Sequence, residues 1–277
     1  MKIDAKEIEW LNDLVTQVAA AEIMPRFRNL DAGDVSEKES ATDLVTIADE
    51  TAEREIAKAL TARFPDALVV GEEAHAADSS ILDGLASAPL AFTIDPVDGT
   101  FNFARGVPLF GTMLAVVQNG ETVAGIIHDP VGGDSLLAVK GQGSVVRSPG
   151  KSDSQQKVAT PVETAELVGT VSWNFVPEPT RSTIAGNLVL MNTGLSFRCA
   201  AHEYRLAATG GLHYVLYNKL MPWDHLAGVL IHAEAGGHTA RFDGSPYNCS
   251  TLEGGLIAAP DEESWHRIKS ALFDGKI

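Results

Sequence analysis

The stretch Ile94-Asp95-Pro96-Val97-Asp98-Gly99-Thr100 sets two carboxylates, a proline-stiffened turn and a glycine at the end of a hydrophobic run. Residues 89–94 (Pro-Leu-Ala-Phe-Thr-Ile) have the length and apolar content of a buried strand. Asp95 therefore falls at a strand's carboxyl end, where α/β folds place their chemistry. Asp98 follows one tight turn later. Carboxylates held that close repel each other unless a hard cation lies between them, and Mg²⁺ is the usual one with all-oxygen ligands. Gly99 and Thr100 then offer backbone N–H groups to an anion, especially where a short helix starts. A plain strand-to-turn junction with solvated aspartates has the same spacing, so the reading turns on what else converges there.

The chain has 277 residues, enough for one large domain or two sharing an interface. Its composition, 45% hydrophobic, is that of a globular protein, and no apolar stretch is long enough to span a bilayer. The first residues run into a charged amphipathic pattern without an apolar leader, so a cytoplasmic location is expected. Cys199 and Cys249 fit neither a disulfide framework nor a zinc spacing. Thirty-seven acidic against 21 basic residues give a formal charge of −16. That charge argues against nucleic acid as a partner and requires local cations wherever a phosphorylated metabolite enters.

From the start of the chain, Ile8, Leu11, Val15 and Val18 share one helical face, and the pattern runs to about Phe27. Residues 29–42 lack periodicity and read as an exposed, mobile loop carrying Lys38. A helix is expected over residues 47–63 with Asp49 in its first turn, ended by Phe64-Pro65. Leu68-Val69-Val70 makes a short strand delivering Gly71-Glu72-Glu73 at its end. Residues 111–118 and 122–128 around Asn119-Gly120 give the clearest hairpin, and residues 135–140 add a strand. The polar residues 141–156 read as the boundary between an N-terminal α+β lobe (1–150) and a C-terminal lobe (151–277). In the second lobe, strands are expected at 168–172, 195–198, 213–217 and 255–258, and helices at 200–209, 222–235 and 260–272. The whole is α+β, with helices packed on largely antiparallel strands.

Asp49, Glu72, Asp95, Asp98 and Asp224 thus each lie at a helix start or a strand end. If the fold brings them together they suit two or three Mg²⁺ ions and an in-line phosphoryl displacement by water. Thr100, hydrogen-bonded to Asp49, would align that water or accept its proton. An aspartate nucleophile of the haloacid-dehalogenase type needs D-x-D; here Val97 fills the middle of a wider spacing, and that scheme is rejected. His202, His225 and His232 have no partner set for a transition metal and read as packed, hydrogen-bonded side chains. Trp173 and Trp223 read as packing residues.

Collected in order, the motifs resemble those of the inositol monophosphatase family of Mg²⁺-dependent, lithium-sensitive phosphatases. Residues 94–103 (IDPVDGTFNF) match its first signature, and Trp223-Asp224-His225-Leu226-Ala227-Gly228 with Glu234-Ala235-Gly236-Gly237 match its second. Asp43-Leu44-Val45-Thr46-Ile47-Ala48-Asp49 and Gly71-Glu72-Glu73 supply two more. The resemblance implies a layered α-β-α-β-α sandwich of the inositol monophosphatase and fructose-1,6-bisphosphatase type, usually assembled as a homodimer. It implies one metal on Glu72, Asp95 and the Val97 carbonyl, a second on Asp95, Asp98 and Asp224, and a weaker third leaning on Glu72. By the same match Gly99 and Thr100 hold phosphate, Asp49 and Thr100 activate water with Glu72 beside them, and Lys38 sits near the metal waters. Asp98, Ala201, Tyr217 and Arg198 are the substrate-contact candidates.

Two departures bear on the substrate. Inositol phosphatases typically carry a glutamate seven residues before the aspartate of the second signature, where this chain has Tyr217. The usual Gly-Ser-Ala-Ala before the preceding helix reads Arg198-Cys199-Ala200-Ala201, and Arg198 suits either a second phosphate or carboxylate, or a pairing with Glu203. The expected activity is hydrolysis of a small sugar or polyol phosphate. Bisphosphate-nucleotidase, fructose-1,6-bisphosphatase and histidinol-phosphatase activities are alternatives on the same fold, and a non-catalytic regulatory module is the reading from another class.

Overall fold

The computed structural model describes residues 4–31, 33–41, 43–172 and 175–274. Helix α1 (Ala5–Val18) is capped by the Asp4 carboxylate, which accepts from the N–H groups of Lys6 and Glu7. It continues through a π-helical turn, Ala19–Ile23, and ends in a 3₁₀ turn at Met24–Arg26. Residues 29–42, expected as a loop, instead contain strand β1 (Val35–Ser40), paired antiparallel with β2 (Asp43–Thr46). The strand escaped detection because Val-Ser-Glu-Lys-Glu-Ser has no apolar alternation, and its backbone pairing with β2 holds it.

Helix α2 (Ile47–Arg63) starts at a capping box in which Thr46 and Asp49 bond each other's backbone N–H groups. The seven-stranded sheet follows. Its strands are β3 (Leu68–Gly71), β4 (Ala91–Asp98), β5 (Gly111–Gln118), β6 (Glu121–Asp129), β7 (Asp134–Val139), β8 (Ser144–Arg147) and β9 (Ser154–Gln155), in sequence order across the sheet. Only β3 and β4 are parallel. Residues 141–156 thus contain two strands within their turns: β8 and β9 are too short and polar to show a period-2 pattern, and they extend this first sheet. The β5–β6 turn has Asn119 at φ 49° and Gly120 at φ 80°, the two left-handed residues of a tight hairpin. Short helices α3 (Glu72–Ala77) and α4 (Thr100–Ala104) leave the ends of β3 and β4.

The second sheet has five strands in the order β11-β10-β12-β14-β13: β10 (Val168–Val171), β11 (Thr193–Leu195), β12 (Tyr214–Tyr217), β13 (His238–Arg241) and β14 (Leu256–Ala259). Its helices are α5 (Thr180–Asn187), α6 (Ala200–Ala208), α7 (Pro222–Glu234) and α8 (Glu262–Phe273). Residues 195–198, expected as a strand, mostly lie beyond β11, where the chain turns left-handed at Arg198 (φ 53°). Trp173 lies outside the described residues.

Side-chain alternation explains the layering. On β5, Leu114 and Val116 face α1 and α2, whereas Met113, Ala115 and Val117 face α6 and α7. On β12, Val215 and Tyr217 join that same middle layer, whereas Tyr214 and Leu216 face Ile184 of α5 and Trp265, Ile268 and Leu272 of α8. The stack is therefore α1/α2, first sheet, α6/α7, second sheet, α5/α8, an α-β-α-β-α sandwich. Each fully buried Leu, Ile or Phe in these interfaces contributes on the order of 1.5–3 kcal/mol.

Helix α7 is the shared wall of this stack. A Cβ on Gly125 of β6 would lie 2.8 Å from the Ala227 carbonyl, so only glycine permits the approach of strand to helix. At the carboxyl end of α7, the Glu234 carboxylate accepts the N–H groups of Gly141 and Gly143 at 2.7 Å each, tying the helix to the β7–β8 turn.

Candidate active site

Asp95 and Asp98 are three residues apart, a spacing that puts side chains on opposite faces of a regular strand. The β4 ladder pairs Asp95 with Met113 and Asp98 with Gly111, so three steps on β4 oppose two on β5. This one-residue bulge returns Asp98 to the face of Asp95. Thr112 Oγ1 donates to the Pro96 carbonyl at 2.8 Å and satisfies a group the bulge takes out of the ladder.

Asp224, in the first turn of α7, completes a triangle: one carboxylate oxygen each from Asp95, Asp98 and Asp224 lie within 4.8 Å of one another. All three carboxyls are pushed above the ordinary range, first by burial and then by neighbouring carboxylates. Asp98 reaches only about 6, because the Cys199 thiol (3.0 Å) and the Ala201 N–H (2.6 Å) both donate to its Oδ2. Two buried carboxylates and a half-buried third, an all-oxygen donor set of like charge, fit a hard divalent cation.

Glu72 begins α3 at the end of β3, and its Oε1 accepts from Lys38 Nζ at 2.9 Å. The same ammonium donates to Glu73 at 2.6 Å. Burial alone would lower the Lys38 pKa, but the Glu72 and Glu73 charges outweigh it and hold the ammonium protonated. Lys38 thus reaches the acidic groups from a strand. Beneath α3, buried Glu53 accepts the Glu73 and Ala74 N–H groups at 2.8 Å each and so fixes the turn that presents Glu72.

Asp49 and Thr100 meet as expected, with Thr100 Oγ1 donating to Asp49 Oδ1 at 2.9 Å. Asp49 Oδ2 accepts from the Thr46 N–H and hydroxyl, so the carboxylate is clamped from both sides. Burial pushes the Asp49 pKa up to about 7 against these hydrogen bonds. Thr100 Oγ1 also lies 3.0 Å from the Val97 carbonyl, the backbone group expected to ligate metal. Gly99 is left-handed (φ 89°), and a Cβ there would meet the Leu109 carbonyl at 2.9 Å; glycine is required to turn β4 into α4. The first N–H groups of α4 have no carbonyl partner within the helix, the arrangement that receives an anion.

A cavity of about 490 Å³ opens onto Asp98, Gly99, Thr100 and Asp224. Tyr217 and Arg198 line it, whereas the Ala201 N–H is engaged with Asp98 and its side chain is fully buried. Tyr217 packs 4.6 Å from the His225 ring and 5.4 Å from Tyr204. Its hydroxyl is close enough to Glu203 to help hold that carboxyl down, but not in full hydrogen-bond geometry. Glu203 itself turns inward to accept the Phe197 N–H at 3.0 Å, and the Arg198 guanidinium lies 3.8 Å over the Phe101 ring.

The histidines behave as packing residues. His202 Nε2 contacts the Phe110 carbonyl, His225 Nε2 the Lys219 carbonyl and His232 Nδ1 the Thr239 hydroxyl. Trp223 is buried, 5.0 Å from the His75 ring. Cys199 and Glu53 are the participants that sequence reasoning missed: a lone cysteine and one more glutamate on a helix carry no spacing signal. Both cysteines are free.

A cluster of buried carboxylates at strand and helix ends, next to a glycine turn and a clamped Thr–Asp pair, defines an acidic, metal-competent site in a five-layer α+β fold. The sequence matches the inositol monophosphatase family over residues 5–273, and the chain belongs to that family of phosphatases. It is 28% identical over 264 residues to the protein named Nus factor SuhB of Haemophilus influenzae, covering 90% of this chain and 91% of that one. The inositol-1-monophosphatase of Bacillus subtilis is 28% identical over 225 residues, covering 79% and 82%. Among solved structures, the Thermotoga maritima IMPase superposes with a TM-score of 0.80 at 25% identity, covering 97% of each chain. Among the described residues, no helix is long and apolar enough to cross a membrane.

Proposed function

We propose that the chain is a Mg²⁺-dependent phosphomonoesterase that hydrolyses a small sugar or polyol phosphate by attack of an activated water. The observation that carries the reading is the Thr100–Asp49 hydrogen bond set beside the Asp95, Asp98 and Asp224 triangle. Asp95, Asp98 and Asp224 would hold one ion, and Glu72, Asp95 and the Val97 carbonyl another, with a weaker third on Glu72. Bound Mg²⁺ supplies Lewis acidity and a lowered pKa for water.

The chain's own groups do the rest. Thr100 has one hydroxyl proton and two acceptors in reach, Asp49 Oδ1 and the Val97 carbonyl. With the carbonyl engaged as a ligand, the proton goes to Asp49, and a lone pair of Thr100 Oγ1 faces the attacking water as acceptor. Thr46 keeps the Asp49 carboxylate in register for that transfer. The Gly99 and Thr100 N–H groups receive the phosphate oxygens. Lys38 keeps Glu72 and Glu73 from repelling each other as the site assembles. We place the enzyme in the cytoplasm as a homodimer.

Nucleotide bisphosphates, fructose 1,6-bisphosphate and histidinol phosphate are the alternative substrates; the name of a 28% identical Thermotoga maritima relative, fructose-1,6-bisphosphatase/inositol-1-monophosphatase, supports including the second. Relatives named Nus factor support a second reading, a regulatory or binding module. Retention of every metal-site carboxylate favours the enzyme, since buried charges are costly without a cation. The test is phosphate release from inositol 1-phosphate, fructose 1,6-bisphosphate, histidinol phosphate and 3′-phosphoadenosine 5′-phosphate, with Mg²⁺, with Mg²⁺ plus lithium, and with chelator. Release that needs Mg²⁺ and falls with lithium is the expected result; no release from any ester overturns the reading for these substrates.

A further inference from the structure

We propose that Cys199 is a positioning residue for the metal site: from the start of α6 its thiol, together with the Ala201 N–H, sets the Asp98 carboxylate in place for a divalent cation. The inference rests on the metal-site reading of the carboxylate triangle and gives a role to a side chain outside the carboxylate set.

Cys199 is the N-cap residue of α6, yet its side chain makes no cap hydrogen bond to its own helix. The thiol turns instead to Asp98 of β4, with Sγ 3.0 Å from Oδ2 and 3.6 Å from the Asp98 carbonyl. The nearer, charged oxygen is the better acceptor. The Ala201 N–H, one of the donors that a helix start leaves unpaired, reaches the same Oδ2 at 2.6 Å. Asp98 thus stands in for the missing cap of α6, at the end of the helix where the dipole favours negative charge. Two donors that converge on one oxygen fix the rotation of the carboxylate, and such outer contacts are what orient a ligand for its ion.

The turn that carries the thiol is itself gripped from two helices. The Phe197 N–H donates to Glu203 Oε1 of α6 at 3.0 Å, and the Phe197 carbonyl accepts from Asn102 Nδ2 of α4 at 2.8 Å. Asn102 lies two residues after Thr100 and donates to the Leu109 carbonyl as well, at 2.9 Å. Phe197 therefore ties the helix that starts at Thr100 to the helix that meets Asp98. Cys199 is also confined: a Cβ on Gly99 would lie 3.2 Å from its Cβ and 3.3 Å from its Sγ, so the buried side chain packs directly on the glycine turn. A packing role alone would need volume at position 199 and no donor, and that difference decides the test.

The experiment compares metal-stripped wild type with Cys199→Ala, Cys199→Ser and Glu203→Met, by calorimetric titration with Mg²⁺ and by thermal melting in chelator. Neither readout needs turnover. Alanine removes the donor, whereas serine restores one as O–H at a volume below that of cysteine. Loss of an outer partner of a metal ligand costs about tenfold to a hundredfold in affinity, so Cys199→Ala should raise the Mg²⁺ Kd at least about tenfold. Cys199→Ser should recover most of that loss, because a hydroxyl donates to a carboxylate more strongly than a thiol. Glu203→Met leaves the Phe197 N–H without its acceptor and should raise the Kd by a smaller factor. Equal Kd values for wild type and Cys199→Ala, or equal losses in the alanine and serine variants, overturn the proposal. A melting temperature that falls without a change in Kd does the same, since volume alone gives that result. The phosphatase reading fails separately: if wild type binds Mg²⁺ and Cys199→Ala weakens it while no ester is hydrolysed, the positioning role stands without that activity. A wild type that binds no Mg²⁺ removes both.

Discussion

The Thr100 hydroxyl lies 2.9 Å from Asp49 Oδ1, while Thr46 holds the other oxygen of the same carboxylate. One carboxylate therefore caps α2 and orients a hydroxyl at the mouth of α4, so its two oxygens serve different ends. Asp49→Asn keeps the shape of the cap but weakens the proton acceptor, and should lower kcat at least a hundredfold with a small change in KM. Thr100→Ala should lower kcat similarly, and the double variant should lose no more than the worse single one, because the two act as a unit. Steady-state phosphate release on the three variants decides this; additive losses would separate the pair.

Asp98→Asn is expected to abolish phosphate release while leaving the fold intact. The amide removes a negative charge from a buried cluster, so the metal-free variant should melt at or above the wild-type temperature. The rise in melting temperature that Mg²⁺ gives wild type should shrink in the variant. Thermal denaturation with and without Mg²⁺ reads both effects, and normal turnover would remove the two-metal scheme.

Glu203 gives a pH dependence whose sign can be worked out. Burial raises its folded pKa to about 7 from 4.5, so the folded protein binds the proton more tightly than the unfolded chain. Its contribution is fully present below pH 4.5 and is lost as pH rises toward 7, by up to about 3 kcal/mol at 1.36 kcal/mol per unit. His225 and His232 oppose this slope: burial lowers their pKa to about 4, so their neutral forms stabilise the fold above 6.5, and that contribution is lost as pH falls toward 4. Glu203→Gln should therefore remove this falling contribution, so that the stability of the variant relative to wild type rises between pH 5 and 7.5. Urea unfolding across that range, in chelator, checks it; an unchanged slope would contradict the assignment.

Tyr217→Phe should be neutral or stabilise by up to about 1 kcal/mol, because the buried hydroxyl has no partner in full hydrogen-bond geometry. Tyr217→Glu, the change that the resemblance suggests for inositol recognition, would set a second carboxyl against Glu203. It should destabilise by several kcal/mol unless Glu203 is neutralised as well. Chemical denaturation of the two variants, alone and with Glu203→Gln, distinguishes packing from charge.

Helix α2 was legible in the sequence because Ala52, Ile56, Ala59 and Leu60 make an apolar stripe and Phe64-Pro65 stops the helix. The β5–β6 hairpin was equally plain, since Asn119-Gly120 tolerates two left-handed residues. Strand β1 was hidden by its polar composition, and α5 by the absence of a strong apolar face. The carboxylate spacing alone concealed the bulge that brings Asp95 and Asp98 to one side: a residue's face is a property of the ladder, which needs the partner strand. Motif order located the five acidic residues, but the contacts that shape them, from Cys199 and Glu53, come from elements distant in the chain.

Helix α7 carries Asp224 in its first turn and Glu234 in its last, and the Glu234 carboxylate grips the turn after β7. Ten residues of helix separate the two acids, roughly 15 Å at 1.5 Å per residue. The contact between Gly125 and Ala227 forbids sideways drift along that length. The helix therefore works as a caliper: its far jaw clamps on a surface turn and sets where the near jaw meets β4. Glu234→Gln should loosen metal affinity from that distance, and a surface turn becomes a calibration point for the buried site.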